Sequence, residues 1–228
     1  MKNIKVFALS VVLAFAFATG ALASPRVGDI MRFGEWDWRV LDVQNNRALI
    51  ITENIIERRA YNEEDEEVTW ETCTLRGYLN GEFLQKFSGE ERGRIAETRI
   101  QNPDNLWYAR KGGNHTEDKV FLLSLEEVDR YFGNSGDYEN RRSKSERFFD
   151  GKREFVPDED GPALVFSNAN DSDRTAKLNN EPCLWWLRSP GYYSSRAAIV
   201  GGGGFVDASG VLVIDDYSGL RPALWLNL

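Results

Sequence analysis

From Cys183 onward the chain carries two motifs that fix much of what it can fold into: Cys183-Leu-Trp-Trp-Leu-Arg-Ser-Pro-Gly191 and Gly219-Leu-Arg-Pro-Ala-Leu-Trp-Leu226. Short apolar runs of Trp and Leu, each interrupted by Arg and closed by Pro, read as strand segments that stop abruptly. Between them lies a stretch rich in Gly, Ser, Tyr and Asp. The pattern predicts short strands at 185–188, 197–200, 205–208, 211–214 and 222–226. Turns are expected at Gly201–Gly204 and, more tightly, at Ser209-Gly210. Side chains that bind ligands sit disproportionately on loops held by a rigid frame, and this segment has that composition.

The N-terminal half supplies other local signals. Trp38–Gln44 and Arg47–Thr52 are β-rich runs separated by Asn45-Asn46, the signature of a two-residue hairpin. A helix is expected from Thr69, with Trp70, Leu75, Tyr78 and Leu79 at roughly helical spacing and Asn80-Gly81 as the stop. Glu90 to Ile95 reads as a short helical turn and Thr98 to Gln101 as extended chain. Asn102 to Thr116 reads as a loop carrying Trp107 and Tyr108. Lys119–Leu123 is an apolar run expected to be a buried strand. Ser124-Leu-Glu-Glu127 after it is a capping box that opens a helix. From about 133 to 180 the chain turns polar, as in an insertion, broken by Phe148-Phe149 and Ala163–Phe166.

The first 23 residues have the organisation of a secretory signal peptide: Lys2 and Lys5, an apolar stretch from Val6 to Ala18, and Ala21-Leu22-Ala23 before a cut ahead of Ser24. The apolar run is shorter than the roughly 20 residues that cross a bilayer, so no membrane-spanning segment is expected. Export, to periplasm or medium, is the reading. Loss of Lys2 and Lys5 would take the formal charge from −8 to −10. Such an acidic chain lacks the basic patches that nucleic acids or anionic membranes require. The two cysteines, Cys73 and Cys183, allow one disulfide in an oxidising compartment, closing about 110 residues and worth roughly 4–5 kcal/mol by chain entropy. Two buried thiols are the equal alternative.

Catalytic signatures are sparse. His115 is the single histidine, no Gly-x-Ser-x-Gly elbow exists, and neither cysteine has a nucleophile's setting. Gly201–Gly204 is followed by strand and turn residues, not by the helix that a phosphate loop needs. The acidic run Asn62–Glu67 lacks the spacing of a calcium loop. Asp171-Ser-Asp173 and Asp215-Asp216 have carboxylates enough for a calcium ion, a minor expectation. Asp158-Glu159-Asp160 adds a further acidic group. Tyr192, Tyr193 and Tyr217 fall in Gly/Ser loops, and tyrosine among Ser, Gly and Asp is the chemistry of adaptable binding loops. Exposure is expected for Tyr192 and Tyr193. At least two of Trp185, Trp186 and Trp225 are expected in the core. Arg188 and Arg221 are expected to act structurally, on carboxylates or carbonyls.

Taken with Trp38-Arg-Val-Leu-Asp-Val43, Thr74-Leu-Arg-Gly-Tyr-Leu-Asn-Gly-Glu-Phe83 and Asp118-Lys-Val-Phe-Leu-Leu-Ser124, the two C-terminal motifs give the chain a resemblance over most of its length. It resembles a bacterial family known chiefly as an uncharacterised domain, from which no activity transfers. More loosely, it is similar to the C-type-lectin-like fold, including variable proteins diversified by retroelements. In these a Trp-rich strand, a Val strand, a Gly turn and a closing Arg strand support the ligand loops. The calcium-dependent sugar motifs of that fold are missing here, Glu181-Pro182-Cys183 being a partial echo.

The expectation is therefore one α+β domain over 24–228, C-type-lectin-like, with an N-terminal hairpin, two to three helices and a small C-terminal antiparallel sheet with long loops. The expected role is non-catalytic binding of an extracellular glycan or protein. Its face would be Tyr192, Tyr193, Ser194, Ser195, Asp215, Asp216 and Tyr217, with no cofactor required. The competing class is a hydrolase of cell-wall polymer using two opposed carboxylates.

Overall fold

In the computed structural model, which describes residues 24–133, 165–167 and 169–228, Asn45 and Asn46 adopt φ values of 51° and 58°. Two left-handed residues in succession are what a tight hairpin turn requires. They join β2 (Trp36–Gln44) to β3 (Arg47–Thr52), with Gln44 opposite Arg47. Strand β1 (Ile30–Phe33) lies antiparallel on β2. The signal-peptide region, Phe148-Phe149, Asp158–Asp160 and most of the polar insertion lie outside the described residues.

After β4 (Glu57–Arg58), the expected helix begins five residues late. Thr69 to Thr72 instead form a turn, with Thr72 N–H donating to Thr69 O and Thr69 N–H to Thr72 Oγ1, both at 3.1 Å. Cys73 is extended at ψ 149°, so helix α1 runs only over Thr74–Asn80. The short polar side chain of Thr72 closes a local loop that competes with helical bonding. A 3-10 turn at Phe83–Lys86 follows, then α2 (Gly89–Arg94), entered through a Ser88/Glu91 capping box. β5 (Thr98–Ile100) pairs with β6 (Thr116–Asp118) across the long loop. α3 (Leu125–Phe132) is capped by Ser124 and Glu127 as the sequence signals.

Lys119–Leu123 is buried but is not a ladder strand. Its backbone is pinned point by point: Asn80 Oδ1 accepts from Lys119 N–H and Val120 N–H, Phe121 bridges Ala223, and Leu123 O accepts from Arg188 N–H. These isolated partners satisfy backbone groups that burial would otherwise leave unpaired.

The remaining elements are β7 (Val165–Phe166), α4 (Asp171–Arg174), β8 (Ala176–Leu178), β9 (Glu181–Cys183), β10 (Trp185–Pro190), β11 (Arg196–Val200), β12 (Val206–Leu212), β13 (Gly219–Leu220) and β14 (Ala223–Asn227). The protein is α+β, mostly strands in several small sheets. β8 and β9 form a separate pair. The largest sheet has the order β4-β13-β10-β11-β12-β7. Two expectations about the C-terminal sheet need correction. β13 runs parallel to β10, and β14 leaves this sheet to pair with β3, giving the order β1-β2-β3-β14. Arg221-Pro222 lies between β13 and β14, where the chain passes from one sheet to the other.

Ser209-Gly210 is likewise not a turn. It is a bulge inside β12, where Ala198 of β11 faces Ala208, Ser209 and Gly210. Asp207 Oδ1 accepts from the N–H groups of Ser209 (2.9 Å) and Gly210 (3.2 Å), locking the extra residues in place. Gly210 has φ 67°, and a Cβ there would lie 2.0 Å from Ala197 O, so no other residue fits.

The core lies between the two sheets and the helices, with Trp38, Trp70, Trp185 and Trp186 fully buried. Each donates its indole N–H internally: to Phe33 O, Asp118, Arg174 O and Arg59 O respectively. A buried ring of this size brings a large apolar area, and its polar atom must find a partner. Trp225 is only half buried. Arg188 donates to both carboxylate oxygens of Glu127 and to the carbonyls of Leu122 and Gln101. It thereby ties β10 to the N-terminus of α3. Arg221 donates to Thr52 O, Glu53 O and Arg174 O. Both motif arginines are frame.

Candidate functional site

Four of the seven expected binding residues lie in the loop between β10 and β11. Gly191 lets it turn under β12; a Cβ there would sit 2.4 Å from Ser209 O. Gly191 N–H donates to Arg196 O at 2.7 Å and Tyr192 N–H to Ser209 O at 2.8 Å. This inward fold buries Tyr192, which is 5% exposed, contrary to the sequence expectation. Its ring meets Tyr108 edge-on at 4.8 Å and Tyr193 at 4.5 Å, while Arg110 Nε donates to its carbonyl. Tyr193 is half buried, with the Arg110 guanidinium 5.8 Å from its ring centre. Ser194 and Ser195 are half buried, and their carbonyls accept from Val68 N–H (3.1 Å) and Val213 N–H (2.9 Å). This loop is stitched down on both sides.

The loop after β12 is different. Asp215 Oδ1 accepts from Tyr217 N–H at 3.0 Å and Oδ2 from Ser218 Oγ at 2.6 Å, so both carboxylate oxygens hold the turn. That turn pushes Asp216 and Tyr217 outward, and Tyr217 is 70% exposed. With Arg196, Val211, Leu212 and Ile214, the three residues line an open depression of about 480 Å³. Of the seven expected residues, then, Asp215, Asp216 and Tyr217 are gathered at one surface. Tyr192, Tyr193, Ser194 and Ser195 do not line it.

Leu212 and Ile214 are exposed beside the tyrosine, and neither figured in the sequence expectation. A signal was available: Val211 to Ile214 is an unbroken apolar run, and strand alternation sends every second residue outward. Val213 takes the inward place at 0% exposure. Arg196, also unforeseen, donates from Nη1 to Gly210 O at 3.0 Å, while its buried Nε has no acceptor among the described residues. The depression thus combines two aliphatic side chains, a phenol, a carboxylate without a partner among the described residues (Asp216) and a guanidinium.

Other chemistry is poorly provided for. Cys73 and Cys183 are both buried and unbridged, so the disulfide that an even count allows is not formed. Each thiol faces a carbonyl instead, Cys73 that of Trp70 at 3.5 Å and Cys183 that of Tyr217 at 3.7 Å. Burial pushes the Cys73 thiol up to about 12, the opposite of an activated nucleophile. His115 is exposed. Among the described residues no three His, Cys, Asp or Glu side chains converge as metal ligands. Asp171 is engaged by Arg174 and Ser167. No helix among the described residues is long and apolar enough to cross a membrane.

A family model described as a domain of unknown function, DUF6273, matches residues 45–228. The chain belongs to the DUF6273 family. The match takes in α1, the capped α3, both Trp-Arg-Pro motifs and the whole depression, and begins at the hairpin turn between β2 and β3. No curated protein and no solved structure matches the chain. For this DUF6273 chain, function has to be argued from the site itself.

Proposed function

We propose that the chain is a non-catalytic binding module of an exported protein, and that the depression beyond β12 receives a protein segment. One observation carries this reading: Leu212, Ile214 and Tyr217 are exposed side by side, flanked by Arg196 and Asp216. Exposed aliphatic groups next to an aromatic anchor and a charged rim are the composition of a protein-recognition patch. A glycan would gain little from Leu and Ile, which offer no flat face. Asp215 and Asp216 are neighbours on one turn, and Asp215 is committed to holding it. A hydrolase needs two carboxylates set apart across a cleft, so this surface suits binding better than hydrolysis. Export rests on the composition of residues 1–23. The C-type-lectin-like reading of the frame belongs to the same proposal. Its support is the sheet segment β13-β10-β11-β12, whose strand β10 carries the first Trp-Arg motif and whose strand β13 opens the second, with the Gly/Ser/Tyr/Asp loops between them.

A random-peptide display library selected on the protein tests the proposal. Enriched peptides should lose at least about tenfold in affinity, roughly 1.4 kcal/mol, when Tyr217→Ala or Leu212→Ser is introduced. Both positions are exposed, so unfolding midpoints should barely move, by about 0.5 kcal/mol or less. No enrichment, or enrichment that survives both substitutions, would reject this face.

A further inference from the structure

A second surface lies on the other sheet. Along β14, Leu224 and Leu226 are fully buried while Trp225 between them is turned to the opposite face and half exposed. Register sets the neighbours: Trp225 stands opposite Leu49, and Asn227 and Gln44 flank Arg47. The hairpin turn adds Asn45, held at φ 51°, and β5 adds Thr98 from the side. Gln44, Asn45, Arg47, Thr98 and Trp225 together line a depression of about 340 Å³. That is within the usual size of small-ligand clefts, about 300–1,000 Å³.

Its chemistry is not that of an ordinary solvated face. Trp38, Trp70, Trp185 and Trp186 all bond their indole N–H internally. The N–H of Trp225 has no acceptor among the described residues, and it is not sealed from solvent. Arg47 makes no ion pair among the described residues, in a chain with 36 acidic side chains against 28 basic ones. The Asn45 carboxamide has no protein partner there either. Gln44 donates to Asp42 at 3.2 Å, and its amide oxygen has no partner among the described residues. A flat indole, a guanidinium fork and two carboxamides therefore converge on one space.

We infer that this depression binds an acidic saccharide, a pyranose ring bearing a carboxylate. The indole face covers the ring's C–H side, Arg47 forks onto the carboxylate, and Asn45 and Gln44 exchange hydrogen bonds with ring hydroxyls. One guanidinium and no lysine among the lining residues does not make a phosphate-backbone site. This site is separate from the peptide face and does not rest on it.

The test is titration of the whole mature chain with a galacturonic acid trimer and with its carboxyl-reduced, neutral counterpart, followed by calorimetry and saturation-transfer NMR. Binding of the acidic trimer in the range of about 0.1–1 mM is expected, with the neutral trimer at least about tenfold weaker. Arg47→Gln should remove that discrimination, and Trp225→Phe should weaken both sugars while the unfolding transition of each variant is checked separately. Tyr217→Ala should leave saccharide binding unchanged. Equal binding of the two trimers, full affinity in Arg47→Gln, or no binding up to about 10 mM would overturn the inference. Loss of saccharide binding in Tyr217→Ala would move the site elsewhere and overturn it too.

Discussion

Arg221→Ala should be among the most destabilising single changes in this protein, about 3–5 kcal/mol by chemical denaturation. The residue is 1% exposed, and its guanidinium lies over Trp185 with 5.0 Å to the ring centre. It donates to Thr52 O at 2.9 Å, Glu53 O at 3.2 Å and Arg174 O at 3.3 Å, joining β3, α4 and the β13–β14 junction. Truncation takes a donor from the buried Thr52 carbonyl and the half-buried Glu53 carbonyl, at about 1–3 kcal/mol for a buried group, while Arg174 O keeps the Trp185 N–H, and it opens a cavity besides. Relief of the buried charge offsets part of this, because no carboxylate pairs with Arg221 among the described residues. Burial, opposed by the charge of Glu53 and aided by that of Arg39, lowers its pKa from 12.5 to about 10. Below about pH 10 both folded and unfolded chains hold the proton, so the fold bears the full cost of a buried cation. Between about 10 and 12.5 the unfolded chain binds more protons than the folded one, and this group's contribution shifts in favour of folding. At neutral pH the charge stays, and three acceptors need it. Arg221→Lys should cost less than Ala but still about 2 kcal/mol, since one ammonium cannot serve three carbonyls and a ring face. A loss below about 1 kcal/mol for Arg221→Ala would mean that water takes over the carbonyls and that the motif arginine is not frame.

That network shows where sequence reading succeeds and where it stops. The Asn45-Asn46 hairpin and the Ser124/Glu127 capping box were legible because each is decided within a few residues. The structural role of Arg188 and Arg221 was legible as a type of use, but not the identity of Gln101, Leu122 or Thr52 as acceptors, which are distant in sequence. Tyr192 was misread for the same reason. Its loop composition suggests exposure, yet Tyr108 arrives from the 102–116 loop to bury its ring, and nothing local announces that. The helix start was misplaced because Thr72 closes a turn that helical spacing alone does not reveal. Ser209-Gly210 has turn chemistry and forms a bulge instead, since Asp207 supplies the bonds that keep β12 running past it. The apolar run Val211–Ile214 held the signal for the depression, but only once its strand alternation was combined with a face that does not pack inward.

Asp118→Ala should match or exceed Arg221→Ala, with a loss of about 3–5 kcal/mol. The carboxylate is fully buried and is the meeting point of two sequence motifs that are far apart along the chain. Oδ2 accepts from Trp70 Nε1 at 2.9 Å and Thr116 Oγ1 at 2.7 Å; Oδ1 accepts from Arg76 Nε at 2.7 Å and, more weakly, Asn80 Nδ2 at 3.4 Å. Arg76 and Asn80 both belong to α1, so Asp118 is what docks that helix against the β5–β6 pair. Removing one partner of a buried ion pair leaves the other uncompensated, the costly half of the comparison. Arg76 retains some solvent access, with 27% side-chain exposure, which moderates the cost. The indole N–H of the fully buried Trp70 has no such escape. Asp118→Asn separates charge from hydrogen bonding. With its amide oxygen in the Oδ2 place it can still accept from Trp70 and Thr116, but Arg76 then faces the amide N–H rather than a carboxylate oxygen. A loss of about 2–3 kcal/mol is expected for this variant. At roughly 2–4 °C per kcal/mol for a chain of this size, Asp118→Ala should lower the melting temperature by about 6–20 °C. An Asn variant as stable as the parent would show that charge contributes nothing here, and an Asn variant as unstable as Ala that the retained hydrogen bonds contribute nothing. A pair both within about 1 kcal/mol of the parent would show that α1 docks by its apolar face alone, through Leu75 and Leu79.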